Sequence, residues 1–321
     1  MVFRLTLANN MEYSCFHFGL SRMAEYYNRD YEMTFLELWG FFYEEGKKGI
    51  EKRTIGERLR PSWFDNQVRR KYLLEKYHQL TYEVLVIKGE DDMASIASYL
   101  QEKPLVAYID TFDCPWLPYY HKQHCEHSIV IEKNENGIYR FYDQYCHCGE
   151  YDFLTEENIY EYCKKIFIFS TILQKDLLVQ KEDYLIELKN TMELFENAKA
   201  LDRISEFSRD MLELHLINEI PNSDPEASIL LRELKFLSQD RHNMILGICY
   251  IETKIGEHNL LDAIKMQLEV VSKRYEALRS NIMKGIFLKS GLNIGRMKND
   301  LDKLCASETE LLRIMKKLSS L

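Results

Sequence analysis

The stretch His127-Ser-Ile-Val-Ile-Glu-Lys-Asn-Glu-Asn-Gly-Ile-Tyr-Arg-Phe-Tyr-Asp143 reads as two strands joined by an Asn136-Gly137 turn, and its register decides what the chain can do. A two-residue loop of Asn136-Gly137 pairs Glu135 with Ile138, sets Asp143 opposite Val130, and points the carboxylate away from His127. A three-residue loop of Glu135, Asn136 and Gly137 pairs Asn134 with Ile138 and sets Asp143 opposite Ile129. Asp143 then lies diagonal to His127 on the same face, within side-chain reach. The second register is expected, because it gives an imidazole with a carboxylate to orient it.

A nucleophile stands far upstream. Ser14 reads as the N-cap of a helix over 15–28, which places Cys15 in the first turn. Unpaired N–H groups and the positive end of the helix dipole there favour thiolate over thiol. Phe16, Leu20, Met23, Ala24 and Tyr27 recur at helical spacing, so one face of the helix is buried and its first residue is held still. Cys15, His127 and Asp143, in that chain order, are the parts of a Cys-His-Asp nucleophilic site.

Working outward, a chain of 321 residues is long for one core, and its pattern changes near residue 175. Before that point Tyr82–Lys88, Pro104–Asp110, Ser128–Ile131 and Ile166–Phe169 read as strands, among helical patterns at 15–28, 66–78, 91–101 and 155–164. After it, leucine, isoleucine and methionine recur at helical spacing between Glu and Lys, which fits four long helices in a bundle. The fold class is therefore α+β, with residues 1–174 as a catalytic domain and 175–321 as an α-helical bundle. Pro221-Asn-Ser-Asp-Pro225 reads as a turn, with Ser223 or Asp224 capping the next helix.

No apolar run is long enough to span a membrane and no signal-peptide pattern opens the chain, so a cytoplasmic protein is expected. Eight cysteines in a chain of this length read as reduced thiols, with Cys163, Cys249 and Cys305 in helical patterns and so in the core. A net charge of −9 argues against nucleic acid as a partner. Between Glu44 and Glu75, however, nine basic residues face six acidic ones. Lys47, Lys48, Lys52, Arg53, Arg58 and Arg60 form its leading part and are the candidate docking surface for an acidic partner or a phosphate, against the favoured alternative of a solvated charged face. Tyr26, Tyr27, Trp39, Phe41, Phe42, Tyr43 and Trp63 are concentrated nearby and read as core packing, with an acyl channel as the alternative.

The rival chemistry is zinc. His121, His124, Cys125 and His127 crowd one strand, and Cys146, His147 and Cys148 follow the next. Their spacings match no regular zinc pattern, and the expected hairpin register already uses His127, so no metal is expected.

Three segments carry a family resemblance: Cys15-Phe-His-Phe-Gly-Leu20, Asp113-Cys-Pro-Trp-Leu-Pro-Tyr-Tyr120, and His127-Ser-Ile-Val-Ile131 leading to Asp143. Together they resemble the N-terminal domain of the butirosin biosynthesis protein H family, which is similar to papain-like and C39-type cysteine peptidases. The resemblance covers roughly residues 8 to 172, and no motif is matched in the helical half.

What the resemblance implies is a papain-like domain that takes an acyl chain from a phosphopantetheine thioester on an acyl or peptidyl carrier protein and passes it to a small amine. Amide synthases of thiotemplated pathways work this way, including closthioamide assembly, where the acceptor is a diamine. By carry-over, Cys15 is the nucleophile, His127 the general base and Asp143 its orienting carboxylate. Asn9 takes the oxyanion position about six residues before the cysteine, where such peptidases usually carry glutamine, with Asn10 beside it and the Cys15 N–H as the other donor. No intrinsic cofactor is implied, and the sequence holds no Walker-type loop and no Gly-x-Gly-x-x-Gly. The same triad with water as acceptor makes a peptidase or thioesterase, and a zinc-stabilised binding protein is the third reading. For the helical half, capping the site, docking the carrier and forming a homodimer stay open, with Lys284, Lys289, Arg296 and Lys298 as a second basic surface.

Overall fold

A computed structural model describes residues 14–46, 53–60, 67–88, 90–117, 119–122, 124–133, 138–144, 152–172, 179–220, 225–287 and 292–319. In chain order come α1 (Cys15–Tyr27), a 3-10 turn (Glu32–Leu38), β1 (Phe42–Tyr43), α2 (Ile55–Arg58), β2 (Leu59–Arg60), α3 (Gln67–Leu73) and a π-turn (Leu74–His78). There follow β3 (Leu80–Val86), α4 (Glu90–Leu100), β4 (Leu105–Asp110), β5 (Glu126–Lys133), β6 (Tyr139–Tyr142), β7 (Asp152–Leu154), α5 (Glu156–Tyr162) and β8 (Cys163–Thr171). The remainder is helical: α6 (Lys181–Asn197), α7 (Ala200–Leu212), α8 (Leu216–Glu219), α9 (Ile229–Ile255), α10 (Asn259–Phe287) and α11 (Ile294–Ser319). The protein is thus α+β, a β-sheet region followed by a helical C-terminal region.

The chain divides into two compact units, Met1–Tyr31 with Lys71–Leu177, and Glu32–Arg70 with Leu178–Leu321. In the first, six strands form an antiparallel sheet in the order β3-β8-β4-β5-β6-β7. Its central strands read as unbroken apolar runs because both faces are covered. On β4, Leu105, Ala107 and Ile109 join a core with Ile96 and Leu100 of α4 and Ile159 of α5. Val106 and Tyr108 alternate to the opposite face, where α1 packs. The hairpin register agrees with the expected one: Val130 pairs with Tyr142, Ile131 with Phe141, Glu132 with Arg140 and Lys133 with Tyr139, which continues to Ile129 opposite Asp143. The turn residues 134–137 lie outside the described residues.

The second unit corrects the expected division at 174/175, since Glu32–Arg70 belongs with the helices. The reason is a set of polar and apolar ties that the sequence does not announce. Arg241 of α9 donates to the Leu38 and Gly40 carbonyls at 2.8 and 2.9 Å and to Glu308 of α11 at 2.9 Å. The Trp39 indole and the Tyr275 hydroxyl donate to the same carboxylate, each at 3.1 Å, so the buried ion pair is fully hydrogen-bonded. Trp39 stacks on Phe195 at 4.3 Å, and Phe41 and Tyr43 pack edge-on against Phe207, so these aromatics are core, as expected. Helix α2 carries its own capping box, Thr54 with Glu57, and its first N–H groups also donate to the Glu219 carboxylate. Gly56 is required there, because a Cβ would stand 2.4 Å from the Leu230 backbone nitrogen.

Among the described residues, the helical region holds five long helices where four were expected. Lys199, with a left-handed φ of 52°, separates α6 from α7 without any glycine or proline to signal the break. The cap of α9 is Ser228, which accepts from the Leu231 N–H, rather than Ser223 or Asp224. Pro225–Ala227 forms a 3-10 turn first, and so delays the helix start; residues 221–224 lie outside the described residues. Among the described residues, no helix is long and apolar enough to cross a membrane.

Candidate active site

Helix α1 starts where its sequence implies. Ser14 is extended (φ −61°, ψ 153°) and its hydroxyl accepts from the His17 N–H at 3.3 Å, leaving Cys15 as the first helical residue. The Ser14 hydroxyl also meets His17 Nδ1 at 2.8 Å, which fixes the cap from two sides. Phe16 then anchors the helix on the sheet, with ring centroids 5.2 Å from Phe167, 6.0 Å from Tyr82 and 6.3 Å from Tyr108. Gly19 permits the close approach: a Cβ there would stand 2.9 and 3.0 Å from the two methyl groups of Val106.

This seating brings Cys15 to His127 and Ser128 at the start of β5. Burial resists ionisation of the Cys15 thiol, but a hydrogen bond from His127, its positive charge, and the N–H and hydroxyl of Ser128 outweigh it and hold the thiol below its ordinary range. Burial pulls His127 down, while the Asp143 charge and hydrogen bond, together with Cys15, raise it overall. His127 Nε2 lies 2.9 Å from Asp143 Oδ1, with the two side chains 5% and 1% exposed. Nε2 being occupied, Nδ1 is the nitrogen left for the sulfur. The two shifts run in opposite directions, so each favours the charged pair of thiolate and imidazolium. Two buried cysteines behave otherwise: burial pushes Cys163 up to about 12 and raises Cys114 as well.

Two residues at the site stand inside the segments that carry the resemblance but were not singled out as site residues. The Trp116 indole donates to Asp143 Oδ2 at 3.4 Å and packs against Phe141, covering the carboxylate that holds the imidazole. Ser128 was visible only as a strand residue. Both act through tertiary contacts, and only the expected neighbour His127 and the motif around Trp116 pointed to the region.

The remaining expectations fare unevenly. Asn9, Asn10, Lys47, Lys48, Lys52 and Trp63 lie outside the described residues, as do Cys146, His147, Cys148 and Lys289. The N–H of Cys15, at the start of α1, needs no partner within the helix. Arg58 has to be withdrawn from the docking surface: it is buried, donates to Asp210 at 2.6 Å and to the Glu44 carbonyl at 3.2 Å, and lies over the Tyr43 ring. Arg53 is exposed but ion-paired with Glu44, and Arg60 is exposed. Arg69 and Arg70, further along the same segment, pair with Glu187 and Glu37. Cys163 is buried as expected but begins β8 rather than lying in a helix, and Cys249 and Cys305 are half-buried. His124 is engaged with Asp110 at 2.8 Å and stacked on Phe112. Among the described residues, no three His, Cys, Asp or Glu side chains are grouped as a metal ion would need.

The chain matches no family model and no curated protein.

Proposed function

We propose that the protein is a cysteine-dependent acyltransferase of papain-like type, forming an amide from a carrier-bound thioester and an amine. The observation that carries this reading is the joined set of Cys15 at a capped helix N-terminus, His127 hydrogen-bonded to it, and Asp143 at 2.9 Å from the far nitrogen of that imidazole. A thiolate held beside an imidazolium is the resting state of covalent acyl transfer.

The steps follow from the groups present. The Cys15 thiolate adds to the thioester carbonyl; the carbon–sulfur bond to phosphopantetheine breaks, and that sulfur leaves with the proton of the His127 imidazolium. Exchange of one thioester for another is close to thermoneutral, so no nucleotide is consumed. The amine then adds to the Cys15 acyl-enzyme, His127 takes its proton, and the amide departs as the thiolate is restored. Asp143 keeps the imidazole in one orientation through both proton transfers. The N–H of Cys15 receives the oxyanion, with Asn9 proposed as the second donor. A carrier protein, acidic as a class, suits exposed Arg53 and Arg60 with Lys47, Lys48 and Lys52, where charge would steer encounter more than it adds affinity. Thiol chemistry of this kind suits the reducing cytoplasm.

Intact mass spectrometry with a panel of acyl-pantetheine thioesters tests the reading. The expected result is an acyl adduct on the wild type, absent from Cys15→Ala, that is discharged as an amide when a diamine is added. Discharge only as free acid would make the protein a hydrolase with the same triad. No adduct with any donor would refute the proposal.

A further inference from the structure

The six-stranded sheet ends on one side at β7, three residues long, and on the other at β3, seven residues long. The two ends of the β3–β8 ladder show which backbone groups of β3 are used. Ile87 donates its N–H to the Lys164 carbonyl at 3.1 Å, and the Gln79 carbonyl accepts from Ile172 at 2.9 Å. Odd-numbered residues of β3 therefore bond to β8, and the N–H and C=O of Val84 and Val86 point away from the sheet. The side chains along this edge are apolar: Val84 is 42% exposed and Val86 51%, while Leu85 and Ile87 are half-buried against the core of the sheet. Folded proteins guard such an edge with a short strand, a bulge, or a proline or lysine placed within it. The strand β7 is short, whereas the run Val84-Leu-Val-Ile87 carries no proline or lysine and its ladder has no bulge.

This edge is complementary to itself. Glu83 and Lys88, both exposed, bracket the apolar run, so antiparallel pairing of two copies sets the acidic end of each strand beside the basic end of the other. Parallel pairing would align like charges. Parity narrows the register: only residues whose backbone groups point outward can exchange hydrogen bonds, so even positions must face even positions. Centring on Leu85, the midpoint of the stretch from Glu83 to Ile87, puts Val84 opposite Val86 of the second copy, Leu85 opposite its own counterpart and Glu83 opposite Ile87. Centring on Glu83 would instead oppose the two carboxylates. We propose that the protein forms a two-fold symmetric dimer through β3, the two six-stranded sheets running on as one. Each Val84–Val86 pair exchanges both of its main-chain hydrogen bonds, and the valines and Leu85 leave water together. This assembly is independent of the acyl-transfer reading.

The test is sedimentation of the full chain over a range of concentrations, alongside cysteine cross-linking. The wild type is expected to sediment as a dimer. The double variant Val84→Lys with Val86→Lys opposes like charges across the edge and should sediment as a monomer, at least at concentrations where the wild type is dimeric, with its melting temperature kept because both residues are exposed. Leu85→Cys should form an intersubunit disulfide under mild oxidant, since opposed residues of a non-hydrogen-bonded pair stand about 4.5 Å apart at Cα, inside the disulfide range. Val86→Cys, two residues out of step with its own counterpart, should not. The wild type, with its native cysteines, is the control for background bridging. A wild type that stays monomeric would overturn the proposal. So would a dimer that survives the two lysines, or one that bridges at 86 rather than 85. If the lysine variant fails to fold, the two cysteine variants decide the matter.

Discussion

Replacing Glu308 by leucine should damage the helical unit more than any change on its surface. The carboxylate accepts from Arg241, Trp39 and Tyr275, and the ion pair with Arg241 is fully buried on both sides. Without it, the Arg241 cation keeps the Leu38 and Gly40 carbonyls and the face of the Tyr275 ring, while the Trp39 and Tyr275 donors lose the Glu308 acceptor. Breaking one side of a buried pair costs about 3–5 kcal/mol, and because the orphaned donors belong to the same desolvated network their costs overlap with that figure. For a unit of about 150–250 residues each kcal/mol moves the melting temperature by about 2–4 °C, so a loss of roughly 6–20 °C is expected by calorimetry or circular dichroism. The double variant Arg241→Met with Glu308→Leu removes both charges together. It should cost less than the sum of the two single variants by about 2 kcal/mol or more. A single-variant shift below about 2 °C, or a double variant that is simply additive, would refute the argument that this pair secures Leu38–Gly40 in the helical unit.

Two further outcomes concern the site. Gly19→Ala places a methyl 2.9 Å from Val106, which costs about 1–3 kcal/mol of overpacking and lifts α1 enough to slow Cys15 alkylation; adding Val106→Ala should restore much of both, measured by melting and by peptide-resolved alkylation. Asp143→Asn removes the charge that raises His127, so the imidazolium loses its proton at lower pH and the thiolate loses its cation. Alkylation of Cys15 near pH 7 should then fall about tenfold or more, with its inflection moved upward; an unchanged profile would show that Asp143 does not act on the pair.

Much of the site was legible because it depends on counting. Strand side chains alternate with period two, so the choice between a two- and a three-residue loop fixed whether Asp143 could meet His127, and the observed ladder follows the expected one. The start of α1 was equally readable, since Ser14 is a local cap with a local partner. Long-range ties were not. Glu32–Arg70 joins the helical unit through Arg241, Glu308 and Glu219, polar residues whose sequence context resembles any amphipathic helix. The apparent basic patch lost three members for the same reason: Arg58, Arg69 and Arg70 each meet a carboxylate more than thirty positions away in the chain. The extra helix boundary at Lys199 went unread because a left-handed lysine carries no mark of its own. Ser128 and Trp116 stand on strand and loop positions that sequence periodicity treats as ordinary.

The most direct measurement is the pH profile of iodoacetamide alkylation at Cys15 in the native wild-type protein, from pH 5 to about 10, quantified peptide by peptide beside Cys114 and Cys163. The account expects Cys15 to inflect below the value of about 8.5 of a free thiol, while the two buried cysteines stay unreactive across the range. A Cys15 profile that inflects at or above the free-thiol value would contradict the thiolate–imidazolium pair and, with it, the proposed chemistry.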